Sequence, residues 1–276
     1  MQRRINMINP VMEKEFRLRM RTVRSPISIL VYLFVLSVLA LGFAYINMGQ
    51  LSGGVLSTRT SSELFYFLSG AQLVLISFMT PGLTAGVISG EREKQTLNIL
   101  LTTQQSSSTI ILSKLFSSLS FMLLTVLASM PLYSIVFLYG GVSPWQLLSV
   151  FLFYIFTMIV LGTVGVFFST MFKKTVISVI TTYGFVLFAY GFTALAGLFF
   201  AQLSRNGMNE EVLSYFLSVN PMAVLISLMV PEAAGQFFQK HSWLQMWHIF
   251  FAAYAIISVL LLWLSIRHLR PITKKK

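Results

Sequence analysis

Cysteine is absent from this 276-residue chain, histidine occurs three times, and only eight residues are acidic. Without cysteine there is no disulfide, no thiolate nucleophile and no cysteine-based zinc site. His241, His248 and His268 have no carboxylate at helical spacing to complete a metal site. His248, at the mouth of an apolar run, reads as an interfacial polar residue. No glycine-rich loop ends in Gly-Lys-Ser or Gly-Lys-Thr, so the common device for cradling nucleotide phosphates is missing. Charge is scarce too: 10% of residues are charged against 56% hydrophobic, with a mean hydropathy of +0.78. Soluble domains carry about a quarter charged residues, which excludes an ordinary water-soluble fold. The net charge of +12 does not mark a nucleic-acid binder, because the basic residues sit at the chain ends and in short loops between apolar runs.

Those runs themselves hold no Lys, Arg, Asp or Glu. Ion-driven carriers usually keep an ionisable group within the membrane at a cost of about 2.5–3.5 kcal/mol each. Energy for pumping would then come from another polypeptide, although sodium held by backbone carbonyls at broken helices stays open. Intramembrane proteolysis by a serine–histidine pair needs a histidine deep in the bundle, and only the last run contains one.

What is present is a set of six runs, each near or above the ~20 helical residues needed to cross a bilayer. They extend over 27–46, 64–89, 115–139, 145–172, 176–203 and 246–266. The uncharged stretch from Lys114 to Lys173 is too long for one helix, and Gly140-Gly141-Val142-Ser143-Pro144 divides it. No cleaved leader is expected, since the first run begins only near Pro26, behind Glu13 and Glu15, and is long enough to span. With the N-terminus inside, only Arg59, Arg205 and Lys240 among the Lys and Arg residues fall outside, which orients both termini to the cytoplasm.

Before the first span, 7–24 reads as an amphipathic helix. Ile8, Met12, Phe16, Met20 and Val23 form its apolar stripe, with Lys14, Arg17, Arg21 and Arg24 largely off it. It either lies in the membrane interface or serves as a charged leader that fixes orientation. Between the last two spans, 204–245 forms an outer segment whose uncharged part, 212–230, is broken at Asn220-Pro221. The apolar halves are too short to cross, so the spacing predicts a re-entrant or surface-lying hairpin.

Span two ends with Pro81 and with Gly82, Gly86 and Gly90 at four-residue spacing, a column that lets a neighbouring helix approach. Glu91, Arg92, Glu93, Lys94, Gln95 and Thr96 follow, then Leu97, Leu100, Leu101 and the pair Thr102-Thr103. Gly90 is expected to end the span, and Glu91 and Glu93 then suit the N-terminal end of a new short helix over 91–103 with a leucine edge. Such a helix fits a groove on a partner, with rim charges setting register; a solvated loop resting on lipid is the alternative.

The run from Glu91 to Thr103 resembles the cytoplasmic signature of ABC-2 type ABC transporter permeases. Asn9-Pro10-Val11, Lys14-Glu15-Phe16-Arg17, Arg19 and Arg21 are similar to the interfacial elbow helix ahead of their first span. Six spans and an outer hairpin before the last one match as well. Relatives often carry proline after the paired threonines, where this chain has Gln104.

The resemblance implies an all-α polytopic membrane protein: six transmembrane helices, an N-terminal interfacial helix, a cytoplasmic coupling helix and an outer re-entrant hairpin. It implies one membrane domain over 1–276 that is non-catalytic, dimerises with a second copy or paralogue, and docks on separate ABC ATPase subunits. No cofactor is expected on this chain, with ATP and magnesium on the partner, and no nucleic acid. The expected setting is a bacterial cell membrane. Export, with spans one, two and five at the dimer centre, follows from the resemblance alone. A self-sufficient channel or ion-coupled carrier, and a scaffold that only anchors a partner, are the competing readings.

Overall fold

A computed structural model describes residues 21–22, 24–47, 58–97, 105–204, 215–230 and 246–269. Those residues are helical or lie in turns, with no strand among them. The helices are α1 (Arg24–Ile46), α2 (Thr58–Thr84), α3 (Ser89–Glu93), α4 (Ser107–Ala128), α5 (Met130–Leu138), α6 (Pro144–Met171), α7 (Thr175–Leu187), α8 (Thr193–Ser204), α9 (Pro221–Met229) and α10 (Met246–Leu269). A π-helical turn, Phe188–Phe192, joins α7 to α8. Six of the resulting rods are long and apolar enough to cross a membrane: 25–46, 58–93, 107–138, 144–171, 175–200 and 246–269. The chain is an all-α polytopic membrane protein.

The second and third rods begin earlier than their apolar runs. α2 starts at Thr58, where Arg59 pairs with Glu63 one turn on, and α4 starts at Ser107, where Ser106 accepts the amide of Thr109. Rod three is jointed at Ser129 between α4 and α5, with Pro131 in the first turn of α5. Gly140 and Gly141 adopt φ values of 78° and 91° in the turn after α5, and Ser143 caps α6 by accepting from Gln146 N. That turn divides rods three and four where the Gly-Gly-Val-Ser-Pro stretch requires it.

α6 is the axis of the bundle, packing on α2, α10, α7, α4 and α9. Phe153 and Phe156 meet Phe250 and Phe251 of α10, while Phe151 and Tyr154 join a ring chain through Tyr133 to Phe65 of α2. Rods one and five are the outermost, and Leu30, Phe34, Leu41, Leu187, Leu195 and Leu198 are exposed along them.

The interfacial-helix residues Lys14, Phe16, Arg17 and Met20 lie outside the described residues. Arg21 is exposed in a turn, so a helix continuous through 24 is not formed there. Thr22 instead exchanges hydrogen bonds with Ser25 in the first turn of α1.

The segment before α10 breaks at Asn220-Pro221, and the second half folds as the nine-residue α9. Asn220 caps it, accepting the amides of Met222 and Ala223, and Pro221 takes the first helical position. At about 1.5 Å per residue α9 is far too short to span. It is buried through Val224, Leu225 and Met229 against α6, α10 and α2.

Candidate functional site

One end of the bundle, here the basic end, gathers Arg92, Lys94, Lys114, Lys173, Lys174 and Arg267. Rod two enters it irregularly. Pro81 lies inside α2, the helix loosens over 85–88, and helicity resumes in α3. Both helix ends at this gap are satisfied by neighbours. Ser169 Oγ of α6 accepts from Ile88 N (2.9 Å) and Ser89 N (3.0 Å), and Ser178 of α7 donates to Ala85 O at 2.6 Å.

In α3 three consecutive charged side chains stand about 100° apart, as helical geometry demands, and so reach three different neighbours. Glu91 pairs with Lys114 Nζ of α4, whose side chain is only 3% exposed. Arg92 donates to Thr170 O (3.1 Å) and Phe172 O (3.2 Å), carbonyls at the C-terminal end of α6 where a cation is favoured. Glu93 accepts from Thr175 N (2.9 Å) and Thr175 Oγ1 (2.8 Å) at the N-terminal end of α7, where an anion is favoured. Glu93 stands beyond the apolar part of the rod, and the Thr175 amide and then the Thr175 hydroxyl hold its carboxyl below the usual carboxylate range. Three adjacent residues thus tie the end of rod two to rods three, four and five.

Past Glu93 the chain reverses. Gln95 has φ 59°, and Thr96 N returns to Glu91 O at 3.0 Å. Lys94, Gln95 and Thr96 are exposed, while Leu97 is buried in the core. Two expectations change here. Gly90 does not end rod two, since helix continues through it to Glu93. The stretch 91–103 is also not one uninterrupted helix, because the left-handed residue Gln95 separates α3 from Leu97. The carboxylate at a helix N-terminus is Glu93, but the helix is α7 of another rod. Leu100 and Leu101 lie outside the described residues.

Residues 9–269 match the family described as ABC-2 family transporter protein. The chain belongs to that family. It is therefore the multi-pass, non-catalytic permease component of an ABC transporter. No curated protein matches it.

In this ABC-2 family protein the Gly82, Gly86 and Gly90 column faces rod five. A Cβ at Gly82 would lie 3.1 Å from the Tyr183 hydroxyl, one at Gly86 3.2 Å from Thr175 Cγ2, and one at Gly90 3.8 Å from Thr175 Oγ1. Tyr183 in turn donates to Phe78 O at 2.8 Å. The tightest approach, however, involves glycines that sequence reasoning passed over. A Cβ at Gly165 of α6 would overlap Thr84 Oγ1 and lie 3.2 Å from Ala85 N. Gly162, Gly165 and Ser169, three and four residues apart, form a small-residue face readable by the same rule that found the first column. Among the described residues no group of His, Cys, Asp or Glu is gathered that could hold a metal.

At the opposite end, Asn220 does more than break a helix. Its Nδ2 donates to Tyr190 O (3.0 Å) and Thr193 Oγ1 (2.8 Å), joining α9 to the π-helical turn of rod five. Tyr190 O also accepts the backbone N–H of Thr193, so Asn220 adds a second donor to a carbonyl that has two lone pairs.

Proposed function

We propose that this permease is driven by a separate ABC ATPase that seats on the basic end, with Lys94, Gln95 and Thr96 at the contact and motion entering through α3. The observation that carries the reading is the knot of Glu91, Arg92 and Glu93. A load applied at α3 meets direct bonds to rods three, four and five, so it is shared among four rods instead of flexing a free loop. The exposed reversal immediately after the knot supplies surface for a partner.

In this reading the basic end faces the cytoplasm of a bacterial cell membrane, ATP and magnesium reside on the partner, and transport is outward. A second permease chain, identical or paralogous, completes the path across the exposed faces of the outer rods. Purification in mild detergent tests the proposal. A P-loop ATPase accompanies the wild-type chain, and Lys94→Glu with Thr96→Glu weakens that association while the protein stays inserted. Solute flux through liposomes containing this chain alone, without ATP, contradicts it.

A further inference from the structure

Where rods one to four meet, the bundle interior is unexpectedly polar. Tyr32 of α1, Ser69 and Gln72 of α2, Ser129 at the joint of rod three, Tyr133 of α5 and Tyr154 of α6 are each no more than 2% exposed. The Tyr32 hydroxyl lies beside Ser129 and Gln72, and the Tyr133 hydroxyl beside Tyr154 and Ser69. Part of the group is bonded internally. Gln72 Nε2 donates to Ser129 Oγ at 3.1 Å, Ser129 Oγ donates to Val126 O at 2.7 Å, and Tyr154 Oη donates to Ser69 O at 2.9 Å.

Eight buried side-chain atoms among the described residues have no hydrogen-bond partner, and four of them gather here: Tyr32 Oη, Ser69 Oγ, Gln72 Oε1 and Tyr133 Oη. A buried polar atom left unpaired costs about 1–3 kcal/mol, and the four lie close enough together to share a partner. Three hydroxyls can each donate or accept, and Gln72 Oε1 can only accept.

We propose that this cluster is an internal hydration site, holding ordered water against Tyr32, Gln72, Ser69 and Tyr133 at the joint of rod three. Water accepts from the hydroxyls and donates to Gln72 Oε1, and buried waters typically have two to four polar partners, about the number present. A hard cation fits poorly, because the cluster contains no carboxylate and presents hydroxyl protons. Solute in transit fits poorly as well, because the six side chains are sealed from the surface. The water sits beside Ser129, where rod three departs from one regular helix. There it can keep the joint's polar groups paired as rod three bends.

Hydroxyl-radical footprinting of the full chain in lipid nanodiscs, with radicals generated by X-ray radiolysis of water, tests the site. Bound water oxidises the side chains it touches. Tyr32 and Tyr133 should therefore be modified several-fold faster than Phe153 and Phe250, which are as deeply buried but packed in apolar contacts. Gln72→Met should lower the Tyr133 rate, while the wild-type comparison decides the matter even if that variant fails to fold. Equal rates for the tyrosines and the two phenylalanines overturn the proposal, as does an anomalous-scattering peak at the cluster after soaking crystals in thallium(I).

Discussion

At the basic end of the bundle ionised side chains add to the neutral ties of Ser169 and Ser178, joining Glu91 to Lys114, Arg92 to the end of α6 and Glu93 to the start of α7. The opposite end is tied by neutral ones. Ser61 donates to Val136 O, Ser62 to Gly141 O, Gln146 to Met229 O and Tyr254 to Val219 O, and Asn220 bridges α9 to rod five. Both ends must satisfy helix termini that have no partner within their own helix. They differ in what can disturb them. Charged ties respond to salt, pH and charge reversal, and they can be shared with a charged partner; neutral ties respond to none of these.

The largest break in this contrast comes from Glu91→Ala. It takes from the Lys114 ammonium, nearly sealed from solvent, a carboxylate that is itself 27% exposed, a loss of about 3 kcal/mol. Thermal unfolding in detergent measures the loss, and Glu91→Met combined with Lys114→Met recovers most of it. Asn220→Ala comes next. It removes the cap of α9 and the bridge to Tyr190 and Thr193 together, about 2 kcal/mol, with no dependence on salt. Arg92→Met costs about 1 kcal/mol by uncovering the carbonyls at the end of α6, and added salt shrinks the difference from wild type.

The smallest effect is at Glu93. Its folded carboxyl titrates below its unfolded value, so its contribution is present above the ordinary carboxylate range and fades as pH falls through the lowered folded value. Glu93→Gln should flatten that acid limb of the stability profile and leave stability near neutral pH little changed.

Much of this was legible in the chain. Six apolar runs, a Gly-Gly-Val-Ser-Pro divider and an Asn-Pro break each act through local rules, and α6, α9 and the turn before α6 occupy the places those rules assign. The partners of the charged residues were not legible. Arg92 meets carbonyls about 80 positions away, and Glu93 caps a helix 82 positions on, separations that no periodicity encodes. Lys114 reads as a boundary charge because it opens an apolar run, yet its helix starts a full turn and more earlier, which draws it into the bundle. The π-helical turn at Phe188–Phe192 has no local signal either, and the added donor on Tyr190 O comes from Asn220 of another segment.

The central claim is that the knot carries motion from α3 into rod five. A chain without cysteine allows a direct trial, because Glu93→Cys and Thr175→Cys introduce the only thiols. Transport-coupled ATP turnover of the assembled complex is then measured before and after a short thiol-to-thiol cross-linker joins them. The account predicts reduced turnover in the unlinked variant, where the Glu93 tie is lost, and recovery once the covalent tie replaces it. Unchanged turnover without the link, or abolition by the link, contradicts it.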